Sequence, residues 1–509
     1  MVATDGELVE AQAVEEERPL RAWWDRAKKA ATQVRDALDT DAALMASMAA
    51  TIELSAARYA VEPGARWRPG EPLKLWFAGY AGTRNTGADV RVEEMIRQIR
   101  HLLTDRWCEL SITTLDPKRT RGYFRRTTQL QLPQIYPRFV ADTVHDVHGV
   151  IACEGSMFKS KFANALSTFM VGALGCAVAE NKLAVGYGGE AGGMDPGLER
   201  LVRRTCRDAL ILCRNEQSRD VLEALGVPTE SGTDTAWTFE PAAPEVGETL
   251  LRSLGWDGRT PVVVLCPIHP FWWPVKPSVA KAVARLATGA YDQAHYSSVY
   301  FHASGDEVDR RQKTYLDAIA KGYRAFASRR AVFPVIVGME ALDRGACEGL
   351  SERIGAPVIV SDEHDMYEMV SVLRRASVLL SSRYHAIVCS MAGRVPSAGI
   401  TMDERIRNLM DDRGTPELAL TVDDPALATR VEEVLERLSA EGEDLAEGIG
   451  RCVVDNLERM GRMGGVFVDH VRERHPELPI RAGLGRDGDP WAHLPPLVPT
   501  VQALVERYR

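Results

Sequence analysis

The sequence predicts an α/β protein built from two successive doubly wound domains that face a central cleft, with helical extensions at both ends. Three observations lead to this prediction. Short apolar runs alternate with helical patterns from residue 73 onward. The runs are apolar throughout, as strands of a parallel sheet covered on both faces are. The alternation stops near residue 240 and restarts at residue 261, and 509 residues suffice for two or three domains.

The predicted organisation has four parts joined by short connections. An acidic, Ala-rich and helical extension covers residues 1–70, and a second helical extension covers 424–509. The two α/β domains cover 71–240 and 258–415. Residues 239–260 begin with a proline-rich stretch, which indicates a linker.

The first domain's elements follow from apolar runs and helical periodicity. The stretch Phe162–Ala179 has no charged residue over 18 positions, the lower limit for a membrane span. It contains Asn, Ser, Thr and Gly, so we predict a buried helix instead. The predicted order is strand Leu73–Ala78, helix Ala88–Leu103, strands Cys108–Thr114 and Val147–Ala152, helix 160–180, and strands Leu183–Tyr187 and Leu210–Cys213.

The second domain repeats the pattern, and residues 424–475 are predicted to be helical. Ligands of such sheets bind beyond the carboxyl ends of the strands, which predicts a site in the cleft between the domains. The predicted order is strand Pro261–Cys266, helix 277–288, strand Ser298–His302, helix 307–327, and strands Phe333–Val337, Pro357–Val360, Ser377–Leu380 and Ser397–Ile400.

Composition excludes several classes of protein. The net charge of −9, from 62 basic and 71 acidic residues, without a basic block, argues against a nucleic-acid partner. The nine cysteines form no Cys-x-x-Cys pair, which argues against structural zinc or a disulfide framework and favours a reduced, cytoplasmic setting. Trp23-Trp24 in the N-terminal extension leaves open a peripheral membrane or partner contact, although packing on the main body is favoured. A homo-oligomer also remains open.

The glycine-rich segment Gly79–Asp89 follows a strand and opens a helix. Glycines there allow the backbone to approach a ligand, and a helix N-terminus offers free N–H groups to an anion. Asn85 is placed to fix the loop or touch a ligand, and Asp89 lies in the first helical turn. The spacing fits neither the dinucleotide nor the Walker motif. A tight structural turn and an anion site are both consistent with the residues alone.

A second polar segment, Ser381–Ala386, lies where the strand Ser377–Leu380 ends. Arg383 can grip a carboxylate or phosphate through two parallel hydrogen bonds. His385 can transfer protons near neutral pH. A structural hydrogen-bonded pair is the alternative. His145 and His148 lack a third ligand nearby, so no metal site is predicted, and Trp272-Trp273 has the chemistry either to stack on a sugar or to brace a loop.

Taken together, four segments resemble the polysaccharide pyruvyl transferase family over roughly residues 73–411. Their order and spacing agree with that family, and the resemblance implies two Rossmann-like domains like those of B-type glycosyltransferases. The segments are Gly79–Asp89 (the family's GxxGxxNxGD), Cys213–Val227 (RDxxSxxxLxxLGV), Thr233–Ala236 (TxDPA) and Ser382–Ile400 (xRLHAxxxAxxxGxPxxGI).

The chain departs from the family pattern at two places. Gly87-Ala88-Asp89 replaces Gly-Asp-Glu, so the carboxylate is displaced. Cys153-Glu154-Gly155-Ser156 replaces the segment GGGS, which we expect to remodel the acceptor side of the cleft. The resemblance therefore does not fix a polysaccharide as the acceptor.

The resemblance implies transfer of the pyruvyl group of phosphoenolpyruvate onto two hydroxyls of a sugar, glycan or lipid-linked sugar to form a ketal. Phosphoenolpyruvate is then the donor substrate, and no cofactor or metal is expected. The expected roles are general acid/base for His385 and donor clamp for Arg383, with substrate-binding roles for Arg214, Asn85, Gly82, Gly87, Asp89, Ser156 and Asp234. A nucleotide-sugar-dependent glycosyltransferase and a non-catalytic binding protein are the alternatives.

Overall fold

The computed structural model describes residues 40–278, 281 and 300–509. The Trp23-Trp24 pair, most of the predicted helix 277–288 and the start of the predicted strand Ser298–His302 lie outside the described residues. Within them, no helix combines the length and apolar character needed to cross a bilayer.

The strands, in chain order, fall in two parallel sheets and one short antiparallel pair. They are β1 (Leu73–Ala78), β2 (Cys108–Thr114), β3 (Thr128–Gln131), β4 (Gly149–Ala152), β5 (Leu183–Gly189), β6 (Leu210–Cys213), β7 (Glu230–Ser231), β8 (Val262–Cys266), β9 (Lys276–Pro277), β10 (Tyr300–Phe301), β11 (Phe333–Gly338), β12 (Val358–Val360), β13 (Val378–Ser381), β14 (Ser397–Thr401) and β15 (Ala419–Thr421).

The helices connect successive strands and form both extensions. They are α1 (Thr40–Val61), α2 (Thr86–Leu103), α3 (Pro137–Asp146), α4 (Asn164–Ala179), α5 (Pro196–Thr205), α6 (Glu216–Ala224), α7 (Pro244–Ser253), α8 (Asp306–Ala327), α9 (Arg344–Ile354), α10 (Met366–Leu373), α11 (Tyr384–Met391), α12 (Glu404–Asp412), α13 (Leu427–Ala440), α14 (Gly442–Arg474) and α15 (Pro499–Tyr508).

Both parallel sheets have the same strand order. The first runs β3-β2-β1-β4-β5-β6-β7 and the second β12-β11-β8-β13-β14-β15, and all neighbours are parallel. In each sheet the first strand in chain order lies between the second and the fourth. The chain therefore adds strands on one side of the first strand and then on its other side. The crevice at such a switch point is where these sheets bind ligands. The predicted pair of Rossmann-like α/β units is confirmed.

The uncharged helix α4 is buried, as predicted, because α1 covers it. A Cβ at Gly172 would lie 2.5 Å from Met48, and one at Gly175 would lie 2.7 Å from Ile52. Small residues thus let the two helices approach closely. The apolar character of α4 reflects this double cover by α1 and the sheet.

The predicted linker 239–260 is wrong in part, because it contains the helix α7. Its first residue, Pro244, suits the first turn of a helix, and Leu251 is buried. Gly247 lets α7 pack against Ser371 of α10. Farther along, α14 runs across both domains: Gln98 of the first domain donates to its Met460 carbonyl at 2.9 Å.

Candidate active site

A cavity of about 1240 Å³ opens between the carboxyl ends of the two sheets. Loops that follow β1, β2 and β4 form one wall, and residues that follow β11, β13 and β14 contribute to the other. Both switch points therefore open into one space, as the fold predicts. The lining includes Gly79, Gly82, Asn85, Glu154, Ser156, Phe162, Trp273, Glu340, Arg383 and Arg405.

The loop after β1 needs glycine for two steric reasons. Gly82 has a φ of +90°, and a Cβ there would lie 2.3 Å from the Thr114 hydroxyl. A Cβ at Gly79 would lie 2.5 Å from the Cys153 sulfur. The loops after β1 and β4 thus meet tightly at the first switch point. Ser156 lies on the β4 side, in the cavity wall.

Arg383 reaches the cavity but is already paired with two carboxylates. Its Nε and Nη2 donate to Asp343 at 2.9 and 2.5 Å, and Nη2 also donates to Glu340 at 2.9 Å. Glu340 in turn accepts from the Tyr80 hydroxyl at 3.0 Å and the Asn85 amide at 3.2 Å. Burial raises the pKa of Asp343 to about 6 against the lowering effect of the guanidinium. Arg383 thus belongs to an ion-pair cluster that ties the two domains together.

Arg405 is a second guanidinium on the same wall, which the sequence reasoning did not single out. It follows β14 at the start of α12, and its Nε donates to Asp403 at 2.8 Å. The guanidinium carbon lies 4.4 Å from the centre of the Phe162 ring. Within the described part of the chain, its two terminal nitrogens donate no hydrogen bond to protein. Arg405 therefore offers the cavity an anchored cation with free donors.

His385 and Asp234 meet behind the cavity wall, 151 positions apart in the chain. The imidazole Nε2 lies 3.2 Å from Asp234 Oδ2, and the same oxygen lies 3.1 Å from Arg214 Nη1 and 3.4 Å from Arg91 Nε. Burial alone would raise the pKa of Asp234, but its interactions with His385, Arg91 and Arg214 hold that pKa well below its usual value. Arg214 also pairs with the buried Glu190.

Gly87 and Asp89, in the first turn of α2, lie behind the cavity as well. A Cβ at Gly87 would lie 2.4 Å from the Cβ of His385 and 2.5 Å from its Nδ1. Asp89 is 1% exposed, and neither carboxyl oxygen has a hydrogen-bond partner. Burial raises the pKa of Asp89 well above its usual value, against the lowering effect of the Arg84 guanidinium.

The predicted site residues thus fall into two adjoining groups. Gly82, Asn85, Ser156 and Arg383 line the cavity. Gly87, Asp89, Arg214 and Asp234 are buried behind it, and His385, whose side chain is 14% exposed, contacts this buried group. Arg383 and His385, although two positions apart, do not both line the cavity.

The predicted pair Trp272-Trp273 separates in the same way, and His148 has a structural contact. Trp273 lines the cavity, edge to face with Phe162 at 5.3 Å, while Trp272 stacks between two histidine rings. The Nδ1 atom of His148 accepts a hydrogen bond from the Lys74 backbone N–H at 2.9 Å. This histidine supports the strand β1, a structural role.

Two solved structures and one family model are similar to this chain. A putative UDP-N-acetylglucosamine 2-epimerase from Listeria monocytogenes is 9% identical, covers 79% of this chain and 97% of its own, and has a TM-score of 0.49. A UDP-GlcNAc 2-epimerase from Neisseria meningitidis bound to UDP-GlcNAc is 11% identical, with 79% and 100% coverage and a TM-score of 0.46. A family model described as polysaccharide pyruvyl transferase matches residues 183–404, which include β5 to β14. The resemblance drawn from the motifs is therefore confirmed over residues 183–404, and with it a transferase enzyme.

Proposed function

We propose that this protein transfers the pyruvyl group of phosphoenolpyruvate onto two hydroxyls of a sugar or glycan, forming a ketal and releasing phosphate. The proposal needs no cofactor beyond the donor. Its main support, beside the family match, is one observation: Arg383 and Arg405 follow the neighbouring strands β13 and β14 and line one cavity wall. Two such cationic groups can hold a donor that carries both a phosphate and a carboxylate, because arginine binds either group through paired hydrogen bonds.

The two arginines differ in the number of carboxylates that already pair with each guanidinium. Arg383 is shared between Asp343 and Glu340, so a ligand must compete with two carboxylates for it. Arg405 has one carboxylate partner on Nε and keeps its terminal nitrogens free for the cavity. We therefore assign the first anionic contact to Arg405. The second contact goes to Arg383.

His385 supplies the proton-transfer group in this proposal. Asp234 holds Nε2 and so fixes the ring orientation. The other ring nitrogen faces the start of α2 at Gly87. A small displacement of that helix end is then required before the imidazole can deliver a proton to the methylene carbon of the donor.

Two measurements test the proposal together. Calorimetry measures binding of phosphoenolpyruvate, with UDP-glucose and GDP-mannose as alternative donors. Phosphate release is then followed with a panel of 4-nitrophenyl hexosides and N-acetylhexosaminides, and products are checked by mass spectrometry for the added pyruvyl group. We expect binding of phosphoenolpyruvate and a pyruvylated product. Binding of a nucleotide sugar instead, with transfer of its sugar, contradicts the proposal.

A matched pair of variants locates the donor. Arg405→Ala should weaken phosphoenolpyruvate binding about 10- to 100-fold, since hydrogen bonds to charged groups contribute about 1.5–3 kcal/mol. Arg462→Ala removes an exposed arginine of α14 that pairs within its own helix, far from the cavity lining. It should bind the donor as the wild type does. Equal binding by both variants contradicts the assignment of Arg405.

A further inference from the structure

Glu154 is a carboxylate that the proposed donor site does not use. It follows β4 directly at the first switch point and lines the cavity from the first domain. Its Oε2 atom is buried and has no hydrogen-bond partner, and Oε1 has only a long contact of 3.4 Å with the Ser156 N–H. One oxygen of this carboxylate is therefore left without a donor.

The loop that carries Glu154 is held firmly by its neighbours. The Cys153 N–H donates to the Ala78 carbonyl at 3.0 Å, and the Cys153 carbonyl accepts from Arg91. On the other side, a Cβ at Gly155 would lie 3.0 Å from Arg214 Nη1. The position of Glu154 is thus fixed by hydrogen bonds of the Cys153 backbone on one side and by close packing of Gly155 against Arg214 on the other, as a reacting group requires.

The sign of its charge determines what Glu154 can bind. Burying a carboxylate oxygen without a hydrogen-bond donor costs free energy. A ligand hydroxyl can supply the missing hydrogen bond. The same oxygen repels phosphate and carboxylate, so the anionic donor belongs at the opposite wall with Arg383 and Arg405. Glu154 therefore marks the end of the cavity that receives the neutral acceptor.

We propose that Glu154 binds an acceptor hydroxyl and acts as its general base. This inference rests on the proposed function. The carboxylate takes the proton of the acceptor hydroxyl as that hydroxyl's oxygen bonds to C2 of phosphoenolpyruvate. At the same time an acid donates a proton to C3, which turns the methylene group into a methyl group. The second hydroxyl then replaces the phosphate at C2, and the released phosphate carries away that hydroxyl's proton. The proton on Glu154 returns through solvent to the acid, so both hydroxyl protons are accounted for.

The proposal also predicts selectivity among acceptors. A carboxylate beside the diol disfavours an acceptor that is itself anionic there, because like charges held close together in a shielded site repel. Neutral hexosides should therefore be accepted in preference to the corresponding uronides. Removing the charge of Glu154 should reduce that preference.

The test compares Glu154→Gln with Glu109→Gln, an exposed carboxylate on β2 that is outside the cavity lining. In the phosphate-release assay, Glu154→Gln should lose about 10²- to 10⁴-fold in kcat, the range for general acid–base help. Its affinity for phosphoenolpyruvate should match or exceed that of the wild type, which also shows that the variant folds. Glu154→Asp should retain part of the rate, and Glu109→Gln all of it.

Failures of the two proposals are distinguishable. An active wild type together with a fully active Glu154→Gln overturns this inference alone. Loss of phosphoenolpyruvate binding in Glu154→Gln also overturns it, because Glu154 would then support the donor site. A wild type that binds no phosphoenolpyruvate, or that pyruvylates no member of the hexoside panel, overturns the proposed function and this inference with it.

Discussion

Replacing Gly87 by alanine tests a close contact between the two domains, that of Gly87 with His385. The new methyl group would lie 2.4–2.6 Å from three atoms of His385, well inside the van der Waals distance. Overpacking of this kind costs about 1–3 kcal/mol of folding free energy. The glycine is the second residue of α2, so alanine also gains up to about 1 kcal/mol of helix propensity. The clash exceeds the gain, and Gly87→Ala should be destabilised by up to about 2 kcal/mol.

A matched control separates the two effects. Gly448 lies in α14, is exposed, and has no atom within 4 Å of an added Cβ. Gly448→Ala should therefore be neutral or more stable than the wild type by up to about 1 kcal/mol. Thermal and urea unfolding measure the difference between the variants. We expect Gly87→Ala to melt several degrees below Gly448→Ala, since about 1 kcal/mol shifts Tm by ~2–4 °C in domains of this size.

A double variant identifies the origin of the effect. In a His385→Gly background the Cβ, Cγ and Nδ1 atoms that would clash are all gone, so Gly87→Ala should no longer be destabilising, and the two substitutions should couple by about 1–3 kcal/mol. Pyruvyl transfer should fall in Gly87→Ala alone, because the displaced ring loses its 3.2 Å contact with Asp234. If Gly87→Ala is as stable and active as Gly448→Ala, the imidazole does not lie against this helix end. The described contact between the two domains at Gly87 is then wrong.

Three further predictions concern the charged groups. Burial raises the pKa of Asp343 to about 6, so lowering the pH from 7.5 to 5 should protonate it and release Arg383 from one of its two carboxylate partners, Glu340 remaining. Calorimetry should then show tighter sulfate binding at pH 5, and Asp343→Asn should bind sulfate tightly at both values. Lys159 forms buried ion pairs with Glu190 and Glu404, so Lys159→Met should cost about 3 kcal/mol in urea unfolding. Lys161→Met, which breaks no ion pair among the described residues, should stay within about 0.5 kcal/mol of the wild type. His385→Ala should slow phosphate release about 10²- to 10⁴-fold while phosphoenolpyruvate binding, measured by calorimetry, is retained.

Much of the fold is predictable because its strands are buried on both faces. Leu210–Cys213 is a strand with the predicted bounds, and Val262–Cys266 differs by one residue. Such apolar runs carry a strong signal over four or five residues. The strands Glu230–Ser231 and Ala419–Thr421 were missed because two or three residues at a sheet edge show no periodicity. Helix α7 is not predictable from this pattern because Pro241 and Pro244 together indicate a break, although Pro244 begins the helix.

The candidate site was predictable only for residues that directly follow a strand, because ligands of parallel sheets bind at the carboxyl ends of the strands. Arg383 was found because it follows a strand at its carboxyl end. The same rule, applied to the strand ending at Thr401, points to Arg405, and that signal was overlooked. The partners of these groups were not predictable from local pattern. Asp343 lies 40 positions from Arg383 and Asp234 lies 151 positions from His385, so only the folded chain brings them together.

Glu340 connects donor binding to the contact between the domains. It accepts hydrogen bonds from Tyr80 and Asn85 of the first domain and from Arg383 of its own domain. An anion that takes over Arg383 removes one of these contacts and leaves the two that cross the cleft. The donor can therefore compete for the guanidinium without opening the domains, because closure also rests on backbone contacts such as the 2.8 Å hydrogen bond from the Thr86 N–H to the Met339 carbonyl. Pairing Arg383 with carboxylates thus keeps a half-buried cation compensated before the donor arrives, and it does so at little expense to the closed form.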